Sequence, residues 1–170
     1  MILVDKESFL RCLKLFCRKV DRSVLQPAAE AASEWGLPEA QLAALRFVHR
    51  NRGCLLGEVA SALGISAPAA TRLIDRLEEK GLVIRGLKKG DRRAFSLTLS
   101  PKGEQAAVSI EAIEGQAVER LLRSLSEEER ELVGRAMELV IAADGALPES
   151  LCLHCGDAHN AGCIIERLTE

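Results

Sequence analysis

The sequence predicts a mainly α fold that carries one small β-hairpin between helical flanks, and three observations predict it. Aromatic residues make up 3% of a chain that is 48% hydrophobic, so the core is built from Leu, Ala, Val and Ile, and Leu and Ala are strong helix formers. Apolar residues recur at intervals of three and four along most of the chain. The period falls to two in one place, where Phe95, Leu97 and Leu99 alternate with Ser96, Thr98 and Ser100. With 170 residues there is room for one ordinary domain and an appendage, which excludes a large multidomain enzyme. The scarcity of aromatics argues against a stacking platform for single-stranded nucleic acid.

The elements follow in order. Leu10, Leu13, Cys17, Val20 and Val24 predict an amphipathic helix from about Ser8 to the Ala-rich segment near Ala32, with Pro27 as a kink or break. After Gly36 and Pro38, Leu42, Leu45 and Val48 mark a second helix that ends near Gly53. A short third helix, Leu56 to Leu63, stops at Gly64. Ser66 then caps a fourth that runs to about Lys80, with Gly81 just past its end. Leu82 to Arg85 is the partner for the alternating strand, and "GLKKGDRR", Gly86 to Arg93, is the basic loop between them. Ser100-Pro101 opens a long helix with Ile110, Ile113, Ala117, Leu121 and Leu125 on one face. A capping box at Ser126 and Glu129 opens the last helix, whose stripe is Val133, Ala136, Met137 and Val140. Gly145 and Pro148 end it and lead into a cysteine-rich tail; no internal repeat is evident.

Near-neutral net charge, −2, hides an asymmetry. From Arg72 to Lys102 there are nine basic and four acidic residues, a balance of +5, which leaves −7 for the rest. A localised basic segment framed by acidic helices fits a phosphate-binding face, because attraction to nucleic acid follows the local patch. Two short helices joined by Gly64-Ile65-Ser66, with a basic hairpin after the second, form the order of a winged helix-turn-helix. On that second helix Ala70, Leu73, Ile74 and Leu77 make the inward stripe, against Val59, Ala60 and Leu63. Pro68, Thr71, Arg72, Asp75 and Arg76 are left outward. Arg72 suits bidentate bonding to guanine, and Thr71 offers a hydroxyl or a methyl. Lys88, Lys89, Arg92 and Arg93 stand where a wing tip meets phosphates or a narrow minor groove. A solvated charged hairpin with no ligand is the plainer alternative, but turn, helix faces, hairpin and charge agree in order and spacing.

The run "LGEVASALGISAPAATRLIDRLEEKGLVIRGLKKGDRRAFSLTLSPKG", Leu56 to Gly103, resembles the DNA-binding core of the MarR family of bacterial transcriptional regulators. "TRLIDRLEEKGLV" followed by "DRR" and "LTLSPKG" is a long composite motif, and the flanking helices correspond in order and approximate length. The resemblance implies a homodimer whose terminal helices interlock while two winged lobes straddle a palindromic operator. It places Ser66, Pro68, Thr71 and Arg72 on the recognition helix and Asp91 and Arg93 on the wing, and it implies regulation by a ligand or by cysteine oxidation. Pro38 departs from the family's usual Thr at the start of the second helix. Dimerisation also has an independent reason, since long amphipathic helices at both ends of a chain with a small central lobe would leave apolar stripes exposed in a monomer. Two-fold symmetry would set the recognition helices about 34 Å apart, one DNA turn.

The tail reads Cys152-x2-Cys155-x3-His159-x3-Cys163, with Gly156 and Gly162 between the pairs. Two cysteines separated by two residues form a natural chelate, and the ligand order is similar to a zinc knuckle with the later spacings each one residue shorter. Zinc is the leading expectation. Three thiolates and one imidazole would close the site to water and make it structural. His154 and Asp157 are reserve ligands; a thiol redox pair at Cys152 and Cys155 comes next, and an iron–sulfur cluster third. Of the other cysteines, Cys17 falls on the apolar stripe of the first helix, Cys12 off it, and Cys54 reads as a small buried residue. Met1 to Val4 is apolar for only four residues and no apolar run reaches the length of a membrane span, so a cytoplasmic protein without a membrane role is expected.

These readings divide the chain into an N-terminal dimerisation helix (1–36), a winged helix-turn-helix DNA-binding domain (37–100), C-terminal dimerisation helices (101–145) and a Cys/His-rich metal-binding tail (146–170). They predict a homodimeric regulator, a repressor rather than an enzyme, that binds double-stranded DNA and answers to metal, redox state or an unknown effector ligand. The rival from another class is a small thiol- or metal-dependent redox enzyme in which the winged core is an interaction module.

Overall fold

The computed structural model describes residues 5–88 and 91–143, with the backbone path alone for 87, 88 and 91–95. The chain begins with helix α1, Lys6–Val20, capped by Asp5, whose Oδ1 accepts from the backbone N–H groups of Glu7 (2.9 Å) and Ser8 (3.0 Å). These bonds, that of Ser8 first, hold the Asp5 carboxyl below its ordinary pKa. The expected single N-terminal helix is divided. A π-helical turn, Asp21–Leu25, separates α1 from α2, Gln26–Glu34, and Gln26 bonds back five residues to the carbonyl of Asp21. Pro27 explains the division. It lacks an N–H and its ring collides with the carbonyl four residues back in a regular helix, so the turn before it widens.

Helices α3 (Glu39–Arg50), α4 (Leu56–Ala62) and α5 (Ala67–Glu79) follow close to their predicted bounds. Between α3 and α4 lies a two-residue strand, β1 (Cys54–Leu55), too short to leave an alternation in the sequence. Strands β2 (Val83–Lys88) and β3 (Asp91–Leu99) form the hairpin, longer at its tip than the alternating residues suggest, with an irregularity between Leu87 and Lys88. The sheet is antiparallel in the order β1, β3, β2, with Cys54 opposite Leu97 on one side and Arg85 opposite Leu97 on the other. The chain then enters α6 (Pro101–Leu122), capped by Ser100, and α7 (Glu127–Ala142), whose capping box of Ser126 and Glu129 is formed as read.

One core holds the lobe together. Leu45, Val48, Val59, Ile74, Leu77, Leu82, Leu97 and Ile110 are at most 1% exposed, so α3, α4, α5, the sheet and α6 share the same apolar interior. Neither α1 nor α7 has a buried residue, although both carry large apolar side chains. Cys17 is therefore exposed in the single chain, contrary to its place on a predicted buried stripe, and Cys54 is buried as expected. No helix among the described residues is long and apolar enough to cross a membrane.

Candidate nucleic-acid interface

Helix α5 is held from behind and open in front. The turn that precedes it places Gly64 at φ +60°, and the N–H of Ile65 bonds to the carbonyl of Ala60 at 3.0 Å, which fixes the angle between α4 and α5. Ala70, Ile74 and Leu77 are fully buried, and Leu73 is half-buried. Ser66, Pro68, Arg72 and Arg76 are exposed, as their positions on the helix predict. Ser66 caps the helix through a 3.4 Å bond from the N–H of Ala69. Arg72 and Arg76 make no ion pair among the described residues.

One of the outward residues differs from the sequence reading, and another is narrowed. The Thr71 hydroxyl donates to the carbonyl of Ala67 at 2.9 Å, so its proton is committed to the helix and its oxygen lone pairs and methyl are left for a partner. Asp75 is only partly exposed because Arg85 of β2 reaches across to it, and the same guanidinium lies 3.3 Å from a Glu78 carboxylate oxygen. Arg85 therefore fastens the base of the hairpin to α5. At the tip, the backbone brings Lys88 opposite Asp91. Lys89 lies outside the described residues, as do the side chains of Lys88, Asp91, Arg92 and Arg93. The four tail residues Cys152, Cys155, His159 and Cys163, with His154 and Asp157, also lie outside them. Among the described residues no group of three or more His, Cys, Asp or Glu is placed to hold a metal ion.

Sequence reasoning missed the seam between α3 and α6. His49 lies between two carboxylates, Nδ1 at 2.8 Å from Glu104 and Nε2 at 3.7 Å from Glu111. Arg46 pairs with Glu114, Arg50 with Glu111 at 3.4 Å, and Arg52 with Glu104 at 3.1 Å. The signal was present in the sequence as acidic residues seven and three apart on α6, facing the basic end of α3. Beside the seam, a cavity of about 510 Å³ opens between the π turn, α2, α3 and α6, with Ala28, Ala32, Leu37 and Leu42 as apolar wall and the Arg46–Glu114 pair at its side. A second apolar hollow of about 450 Å³ lies between α1 and α7, lined by Phe9, Leu13 and Phe16 on one side and Val133, Met137 and Val140 on the other.

Residues 35–94, from the end of α2 through most of the sheet, match the family model described as MarR family. The fold is similar to that of the transcriptional regulator Tm0710 from Thermotoga maritima, with 25% identity, 82% of this chain and 97% of that one covered, and a TM-score of 0.59. It is similar to FabT of Streptococcus pneumoniae, solved in complex with DNA, at 18% identity, 82% and 99% coverage and a TM-score of 0.69. It is also similar to MepR of S. aureus in its DNA complex, at 23% identity, 74% and 95% coverage and a TM-score of 0.62.

Proposed function

We propose that this chain, whose residues 35–94 match the MarR family, is a sequence-specific DNA-binding transcriptional regulator of that family that grips an operator as a homodimer. The observation that carries this reading is the two-faced α5. Its inner stripe is locked into the core, and the opposite face presents Pro68, Arg72 and Arg76 to the outside. A helix so held meets the major groove with its N-terminal half, where Arg72 bonds a guanine edge, the Thr71 methyl meets a thymine, and Ser66 and Arg76 take phosphates. The hairpin carries Lys88, Lys89, Arg92 and Arg93 to the flanking backbone or minor groove, with Asp91 steadying the tip.

The hollow between α1 and α7 supports the homodimer, since a second copy's terminal helices would cover the apolar side chains that line it. The protein acts as a repressor and catalyses no reaction. Its effector is a small, largely apolar ligand that enters the cavity between α2, α3 and α6 and changes operator affinity by binding one spacing of the two lobes better than the other. The tail holds one structural zinc ion through Cys152, Cys155, His159 and Cys163. Elemental analysis of protein purified without chelator, thiols kept reduced, should give near one zinc per chain. Fewer than about 0.2 would remove that part of the reading.

The DNA reading is tested by selecting genomic fragments bound by the full-length protein. A palindromic consensus is expected, and Arg72→Ala should relax preference at one base position by about 1 to 3 kcal/mol. Lys88→Ala should instead weaken all duplexes alike and lower the salt slope by about one. Equal affinity of wild type and Arg72→Ala for every sequence would overturn the assigned base contact.

A further inference from the structure

The C-terminal end of α5 carries a connection that DNA contact alone does not require. Lys80 caps the helix, and its ammonium donates to the main-chain carbonyl of Gly36 and to the side-chain oxygen of Gln41. Gln41 lies at the start of α3 and is 5% exposed. Gly36 has φ +64° and ends α2, with its N–H bonded to Ser33 and that of the next residue, Leu37, to Ala32. Leu37 and Ala32 line the cavity of about 510 Å³. One side chain thus links the recognition helix to the elbow that forms the cavity wall.

The same end of α5 is fixed on its other side. Lys102 donates to the Lys80 carbonyl at 2.9 Å, the Ser100 hydroxyl to that of Gly81 at 2.6 Å, and the Ser100 N–H to that of Leu82 at 2.9 Å. With the α6 side held by three bonds from two residues, movement of the elbow is transmitted to α5 through Lys80. A cation at a helix C-terminus is also favoured by the dipole, so the ammonium has reason to stay where it is unless the carbonyl of Gly36 moves away.

We propose that Lys80 is the positioning residue through which filling of the α2–α3–α6 cavity changes the setting of the recognition helix. This rests on the DNA-binding reading above and adds its route of regulation. A molecule or side chain that occupies the cavity pushes Leu37 outward, carries Gly36 with it, and loosens the tie that Lys80 makes between α5 and the elbow. Operator affinity falls.

A double-mutant cycle tests it without a known effector, using a bulky residue as the filling. Ala29 lines the cavity from an exposed position in α2, so Ala29→Phe fills it with little disturbance of the core. Lys80→Met keeps the aliphatic stem and removes only the ammonium. Affinity for a duplex selected with the wild-type protein is measured for wild type, both single variants and the double variant. Ala29→Phe should weaken binding by about fivefold or more when Lys80 is present and by less than about twofold when it is combined with Lys80→Met. The same ratio in both backgrounds, or no effect of Ala29→Phe in either, would overturn the coupling. If Lys80→Met fails to fold, Lys80→Gln takes its place in the cycle. If the wild type selects no duplex at all, the DNA-binding reading fails, which is a separate result.

Discussion

The winged lobe and the terminal helices are built from the same aliphatic residues to opposite effect. In the lobe Val48, Val59, Ile74, Leu77, Leu82 and Leu97 are completely enclosed by their own chain. In α1 and α7 the apolar stripes are as regular, yet Phe9, Leu13, Phe16, Met137 and Val140 are each 38% exposed or more. Amphipathic pattern says that a face is to be covered but not by which chain. The lobe finishes its core alone, so its outer surface is free for charge and recognition. The terminal helices leave their apolar faces open, and in the proposed homodimer a second copy would cover them and share in their stability.

The largest effect should come from attacking the lobe where backbone meets backbone. A Cβ built on Gly103 of α6 would lie 2.0 Å from the carbonyl oxygen of Leu82 and 2.9 Å from its carbonyl carbon. Neither atom can move cheaply, because Leu82 is held between α5 and the sheet. Gly103→Ala should therefore cost about 4 kcal/mol or more, read as a fall in the urea midpoint at constant slope. A cost below about 1 kcal/mol would mean that α6 does not pack against the lobe as described.

The terminal helices should break differently. Phe16→Glu combined with Met137→Glu places two carboxylates in the apolar hollow, and burying them against a second copy would be prohibitive. Light scattering should show the dimer dissociating at least about a hundredfold more readily, while circular dichroism of the lobe persists. Operator affinity should fall with the dimer, because each lobe then binds a half-site alone. A variant that stays dimeric would place the interface elsewhere.

Much of this division was legible in the sequence, and most of what was not has a common cause. Caps and glycines located α3 to α7 because they act within four residues of chain: Ser66, Ser100 and Ser126 each accept from the N–H three positions on. The outward set on α5 was readable for the same reason. The misreadings involve residues brought together by tertiary geometry. Arg85 withdraws Asp75 from the outer face across ten positions, Lys80 reaches Gly36 across 44, and β1 exists only because Leu97 and Ser96 are there to pair with it. The Thr71 back-bond to Ala67 is local but has no sequence signature, since threonine in a helix takes either rotamer.

Cys54 separates the two regions chemically. Burial first, and the nearby Glu58 carboxylate second, push its thiol up to about 11 from an ordinary 9.0. The sign follows from linkage: the folded state keeps the proton longer than the unfolded chain, so this stabilisation is complete below about pH 9 and is lost as pH rises through about 11. Cys54→Ala should remove that part of the alkaline loss, measured as the difference in urea midpoint between pH 8 and pH 11. At pH 8 an alkylating reagent should modify Cys54 only after unfolding. Rapid modification in the native protein would show that the lobe opens where its core is described as closed.

The smallest effect sharpens the comparison most. Ser126 and Glu129 cap α7 reciprocally, the serine accepting from the Glu129 N–H at 3.2 Å and the carboxylate from the Ser126 N–H at 2.8 Å. A helix with no buried residue of its own depends on such local bonds before a partner arrives, so Ser126→Ala should cost about 1 kcal/mol. Ser66 caps α5 through a single longer bond, 3.4 Å, on a helix already held by Ala70, Ile74 and Leu77. Ser66→Ala should cost about 0.5 kcal/mol, the low end for a lost cap, in thermal unfolding without DNA. If the two costs were reversed, local capping would matter more to the enclosed lobe than to the open helix.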